Sequence, residues 1–116
     1  MSDFLIYHNP RCSKSRNTLA ILRDKGIEPD VVQYLDDPPS ATEIRALIAK
    51  LGVPVAQLVR SGEPAYKECG LGKESTDAEL IAAMASHPKL IERPIVVRGK
   101  RAVIGRPPEN VLDLLT

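Results

Sequence analysis

The stretch YHNPRCSKSRNTL, residues 7–19, decides how the chain is read. A short apolar run, Phe4-Leu5-Ile6, leads into it, and a segment with helical spacing leads out. Asp3–His8 reads as a buried first strand. Ser13–Lys25 reads as a helix, with Leu19, Ile21 and Leu22 on one side and Gly26 as a stop signal. Residues 29–34 (PDVVQY) read as a second strand. A strand, a helix and a strand in so short a span predict a βαβ unit with parallel strands. Cys12 then stands where a strand hands over to a helix. The first amide N–H groups of a helix lack intrahelical partners, and the dipole there is positive. Both features stabilise a thiolate and bind an oxyanion. His8, if protonated, would favour the thiolate further, and Ser13 and Ser15 are within reach to cap the helix or donate to the sulfur.

Beyond this unit, residues 36–39 (DDPP) read as a turn. Ser40 and Glu43 form a capping box, Ser40 as N-cap with Glu43 reaching back. The helix it opens carries Ile44, Leu47, Ile48 and Leu51 on one face and closes at Gly52. Short helical pieces follow at Val55–Val59 and Pro64–Cys69, the second stopped by Gly70. Thr76 and Glu79 form another capping box, opening a helix with Leu80, Ile81 and Met84 that stops before Pro88. Two β-rich runs in residues 93–105 flank Gly99-Lys100, and glycine first in a two-residue loop suits a type II′ hairpin. Pro107-Pro108 begins a last helix, with Val111, Leu112 and Leu115 inward. The order β-α-β, helical insertion, β-β-α predicts an α/β fold of thioredoxin-like plan: a four-stranded mixed sheet flanked by helices, with the insertion between strands 2 and 3. Residues 1–116 are expected to form one domain. In such a plan a proline opens the third strand opposite the thiol, often after a cis bond. Pro94 occupies that position, and a cis Arg93–Pro94 bond is expected from the fold analogy.

Composition narrows the function. The chain has 116 residues, 43% hydrophobic and 27% charged, with a formal net charge of +1. So even a balance does not suit a general polyanion binder, so any anion preference must come from local arrangement. With no tryptophan and one phenylalanine there is no aromatic platform for nucleic acid. The opening MSDFLIYHN lacks the pattern of a signal peptide, and no apolar run is long enough to span a bilayer. A soluble, cytoplasmic monomer that engages neither membrane nor nucleic acid is expected. Two widely separated cysteines make no disulfide framework.

The surroundings of Cys12 exclude several chemistries. A dithiol C-x-x-C site would need a second cysteine where Ser15 stands. A C-x5-R phosphatase loop would need arginine where Thr18 stands. His8 and Cys12 alone are too few ligands for a metal site. A free cysteine is often an inert core residue, but the polar cluster at a strand-to-helix junction favours a nucleophile. Such a nucleophile needs an electrophile, and three distant arginines suggest which kind. Arg60 lies in a polar turn, Arg93 precedes Pro94, and Arg106 follows the hairpin. Guanidinium groups fork onto tetrahedral oxyanions and keep their charge. Taken singly, each arginine is better explained as a solvated surface residue.

The segments IYHNPRCSKSRNTL, EPDVVQYL, LVRSGEPAYKECGL and TDAELIAAMASHPKLIERPIVVRGKRAVIGRPPENVLDLL together resemble the glutaredoxin- and glutathione-dependent arsenate reductases. The resemblance spans Asp3 to Leu115 and is nearest to the short chromosomal arsenate reductase-like proteins of bacteria. It implies that Cys12 attacks arsenate to give a thiol–arsenate ester, with Arg60, Arg93 and Arg106 holding the oxyanion and His8 and Ser15 tuning the thiol. It implies glutathione as co-substrate, glutaredoxin as partner and no bound metal or organic cofactor. Better-known members carry a longer C-terminal tail. They also carry small neutral residues after the nucleophile, where this chain has Ser13-Lys14, with Arg11 before it. Two other functions share the pattern: a monothiol oxidoreductase acting on glutathione mixed disulfides, and an Spx-type regulator that binds RNA polymerase. The latter typically uses a C-x-x-C switch, which Ser15 interrupts. Cys69, beside Glu68 and before Gly70, is expected at a helix C-terminus, a setting that opposes a thiolate.

Overall fold

The structure, a computed structural model, describes residues 3–115. They fall into two compact units. One combines the residues up to Asp37 with those from Arg93 onward, and the other is Pro38–Glu92.

The first unit holds the sheet. Strands β1 (Phe4–His8), β2 (Asp30–Gln33), β3 (Ile95–Arg98) and β4 (Arg101–Ile104) lie in the order β2-β1-β3-β4. β1 and β2 are parallel, joined through helix α1 (Ser13–Asp24), while β1–β3 and β3–β4 are antiparallel. This is the mixed sheet of the thioredoxin-like plan. Along β1, Phe4, Ile6 and His8 are buried while Leu5 and Tyr7 are half-buried, the period-two alternation of a pleated strand. Ile6 faces Val96 across the β1–β3 register. These residues join Leu19 and Leu22 of α1 and Val111 and Leu114 near the C-terminus in one core. Each such side chain contributes roughly 1.5–3 kcal/mol when fully buried. At the hairpin, Arg98 pairs with Arg101, and Gly99 takes a φ of +61° that a side chain would resist.

The last helix differs from its expected form. Pro108–Leu115 is a 3-10 helix, and its buried residues are Pro108, Val111 and Leu114. Leu112, expected inward, is 37% exposed, and Leu115 is only half-buried. The reason is the period: a 3-10 helix has three residues per turn, so every third side chain returns to the core. Arg98 and Arg101 hold this segment to the hairpin. Arg98 Nη1 donates to the Leu114 carbonyl at 2.6 Å, and Arg101 Nη2 to the Asp113 carbonyl at 2.5 Å.

The second unit is helical. It contains α2 (Ala41–Leu51), α3 (Pro64–Glu68) and α4 (Asp77–Ser86), with single 3-10 turns at Val55–Gln57 and Pro88–Leu90. Both capping boxes form. Ser40 Oγ accepts the Glu43 N–H at 3.2 Å while Glu43 Oε1 accepts the Ser40 N–H at 3.1 Å. Thr76 and Glu79 repeat the exchange at 3.1 and 2.8 Å. The Thr76 backbone and hydroxyl hydrogen bonds hold the Glu79 carboxyl below its ordinary range. Ile44 and Leu47 of α2 and Leu80, Ile81 and Met84 of α4 are buried, and the two helices pack together.

Candidate active site

Cys12 is the N-cap residue of α1, with extended backbone angles of φ −96° and ψ 123°. Its N–H donates to the Asn9 carbonyl at 3.0 Å, and its carbonyl accepts the Arg16 N–H at 3.0 Å, the first bond of the helix. No side chain caps this end, and no acidic residue sits in its first turn. The amides that open α1 therefore keep their positive field beside the sulfur. Around it the loop is tied by its own polar groups: Asn9 Oδ1 accepts the Arg11 N–H at 3.0 Å, and Arg16 Nη1 donates to the Pro10 carbonyl at 3.0 Å. Cys12 is half-buried and a free thiol.

Ser15 and His8 lie beneath this turn and are both buried. His8 Nδ1 and Ser15 Oγ are 2.6 Å apart, and Ser15 Oγ also accepts the Asn9 N–H at 3.0 Å. Burial lowers the His8 pKa from 6.5, with the charges of Arg23 and Arg16 acting in the same direction. Both causes favour the neutral ring. The protonated His8 that would have favoured the thiolate is disfavoured, because the position is buried and feels the charges of Arg23 and Arg16. What remains is a tautomeric pair. In one form the Ser15 hydroxyl donates to Nδ1; in the other, Nδ1–H donates to Ser15 and releases the hydroxyl proton for another acceptor.

The Arg93–Pro94 peptide bond is cis, and so is Arg106–Pro107. Pro94 is buried, and its carbonyl accepts the Gly105 N–H at 2.9 Å. Arg93 and Arg106, distant in sequence, meet here: Arg106 Nη1 donates to the Arg93 carbonyl at 3.3 Å. Gly105 lets α1 approach this junction. A Cβ on Gly105 would lie 2.6 Å from Thr18 Oγ1 and 2.9 Å from Pro94 Cγ. Thr18, on α1, directs its hydroxyl to the Lys14 carbonyl at 2.8 Å and lies 3.5 Å from the Gly105 carbonyl. Thus the helix that begins at Cys12 packs against the segment bearing Arg93 and Arg106.

Arg60 belongs to the second unit. Its N–H donates to the Leu90 carbonyl at 2.7 Å, and its guanidinium pairs with Glu63 at 3.3 Å and Glu92 at 3.5 Å. Cys69 is the C-cap of α3, and its Sγ lies 3.5 Å from His87 Nδ1. Among the described residues no group of three or more His, Cys, Asp or Glu could hold a metal ion, and no helix is long and apolar enough to cross a membrane.

Sequence reasoning passed over four participants: Thr18, Gly105, Glu63 and Glu92. Glu63 had a local signal, its i,i+3 spacing from Arg60. Thr18–Gly105 and Arg60–Glu92 are long-range contacts with no periodic trace.

Comparison with known proteins agrees with this fold. The model of the ArsC family matches residues 7–114. The chain is 53% identical over 112 residues to the uncharacterized protein YfgD of Escherichia coli K12, covering 95% of this chain and 94% of that one. It is 49% identical over 116 residues to an arsenate reductase of Escherichia coli, covering 99% of this chain and 82% of that one. Among solved structures, the arsenate reductase from Vibrio cholerae superposes with a TM-score of 0.92 at 52% identity, covering 95% of each chain.

Proposed function

Because this chain belongs to the ArsC family, we propose that it is an arsenate reductase with Cys12 as its nucleophile. The observation that carries the reading is the uncapped start of α1 at Cys12, with neither an acidic residue nor a side-chain oxygen competing for its amides. The Cys12 thiolate attacks arsenic(V) and water leaves, forming a sulfur–arsenic bond. Glutathione adds its thiol to the same arsenic with loss of a second water. A glutaredoxin thiolate then attacks the glutathione sulfur. The sulfur–arsenic electron pair stays on arsenic, which becomes arsenic(III), and glutathionylated glutaredoxin departs. Hydrolysis releases arsenite and returns Cys12. One cysteine suffices because both reducing thiols come from outside.

Arg60, Arg93 and Arg106 hold the oxyanion in this reading, with Arg93 and Arg106 tied by the 3.3 Å hydrogen bond from Arg106 Nη1 to the Arg93 carbonyl. His8 and Ser15 act on the thiol in this reading by fixing the turn that carries it: Ser15 Oγ lies 2.6 Å from His8 Nδ1 and accepts the Asn9 N–H at 3.0 Å. In a reducing cytoplasm both cysteines remain thiols. The test is turnover of the purified protein with glutathione and glutaredoxin, comparing arsenate with a glutathione mixed disulfide. Arsenite production that depends on Cys12 and exceeds disulfide reduction is expected. Disulfide reduction without arsenite would make the protein a monothiol oxidoreductase instead.

A further inference from the structure

Arg60 carries two carboxylates. Its Nη1 lies 3.3 Å from Glu63 Oε1 and its Nε lies 3.5 Å from Glu92 Oε1, with all three side chains about a quarter exposed. The backbone fixes this trio. The Glu63 N–H donates to the Arg60 carbonyl at 3.2 Å, and the Glu92 N–H to the Leu58 carbonyl at 2.7 Å. Val59 and Ile91, each one residue away, pair as a β-bridge. A guanidinium that served only to gather anions would gain nothing from two acidic neighbours, since each repels any anion that approaches.

The arrangement has a use if the anion carries a hydroxyl. An ionised carboxylate is an acceptor with about four lone-pair sites and can take a hydroxyl hydrogen bond beside its other partners. Near neutral pH both arsenate and phosphate retain at least one O–H, which can donate to a carboxylate while the guanidinium binds the bare oxygens. Sulfate has no proton to offer. Its oxygens would face carboxylate oxygens, a contact that is repulsive and leaves acceptors unsatisfied. We propose that Glu63 and Glu92 make the Arg60 site select tetrahedral oxyanions that carry a proton, arsenate and phosphate, over sulfate. This rests on the reading that Arg60 holds the oxyanion, and it adds the selectivity of that site.

The experiment measures how phosphate and sulfate protect Cys12 from alkylation by iodoacetamide, in a Cys69→Ser background at constant ionic strength. Glu63→Gln and Glu92→Gln keep the side-chain shape and replace one acceptor oxygen with a donor. In each, the half-protecting concentration of sulfate should fall about tenfold relative to that of phosphate. Glu74→Gln, with the same charge change on an exposed residue, should leave the ratio unaltered. Because both anions are compared on one preparation, a smaller folded fraction does not move the ratio. An unchanged ratio in the Glu63 and Glu92 variants, with Arg60→Ala still weakening phosphate protection, overturns the selectivity alone. Undiminished phosphate protection in Arg60→Ala removes Arg60 from the oxyanion site and overturns both.

Discussion

Cys12 and Cys69 are the same side chain in opposite settings. Cys12 caps the start of a 12-residue helix, where amide N–H groups face it; Cys69 caps the end of a five-residue helix, where carbonyls do. The positive end of a helix thus lies at the first and the negative end of one at the second, with His87 as the local neighbour of Cys69. Cys12→Ser should abolish glutathione- and glutaredoxin-dependent arsenite formation, while Cys69→Ser should retain it, as read by arsenic speciation over time. Arg93→Ala and Arg106→Ala should each lower kcat/KM for arsenate by roughly ten- to a hundredfold, the effect of losing a charged hydrogen bond. The suitable control is Arg45→Ala, on an exposed turn of α2, because Arg98 and Arg101 anchor the C-terminal segment. His8 carries a pH signature. Its folded pKa is depressed, so below 6.5 the unfolded chain takes up the proton more readily than the folded one. Stability should fall as pH drops from about that value toward the folded pKa. Urea midpoints of wild type and His8→Gln, compared between pH 7.5 and 5, should converge on acidification; parallel curves would contradict a buried neutral ring. At this scale the grouping of His8, Cys12 and Ser15 was legible because they are neighbours in sequence. The charge state of His8 was not, because its burial and the cations around it are products of folding.

Elements with their own local chemistry read most clearly. Both capping boxes occur where Ser40–Glu43 and Thr76–Glu79 announced them, since every atom of the motif lies within four residues. Ser40→Ala should cost about 1 kcal/mol of stability, measured by urea denaturation. The C-terminal segment misled for a physical reason. Its apolar residues fit an α-helical stripe through Val111, Leu112 and Leu115, but it adopts the tighter period and buries Val111 and Leu114 instead. Leu114→Ala should therefore cost about 2–5 kcal/mol and Leu112→Ala well under half of that. Equal costs would restore the α-helical register.

In the whole molecule, pairing of β1 with β3 brings residues before Asp37 and after Arg93 into one unit, across an intervening helical unit of its own. Local signals supplied the order of elements and, through it, the thioredoxin-like plan, while the sheet order β2-β1-β3-β4 is seen only in the structure, since strand pairing across an insertion leaves no periodic mark. That pairing places Arg93, Pro94, Gly105 and Arg106 beside the helix that starts at Cys12, and so makes a single thiol a candidate for oxyanion chemistry. The claim that Cys12 bonds to arsenic and is released by an external thiol is tested most directly by mass spectrometry of the protein, quenched within one turnover of arsenate and glutathione in the absence of glutaredoxin. The account predicts arsenic together with glutathione on the peptide containing Cys12, and Cys69 unmodified. A Cys12–Cys69 disulfide, or a Cys12 peptide without arsenic, would contradict it.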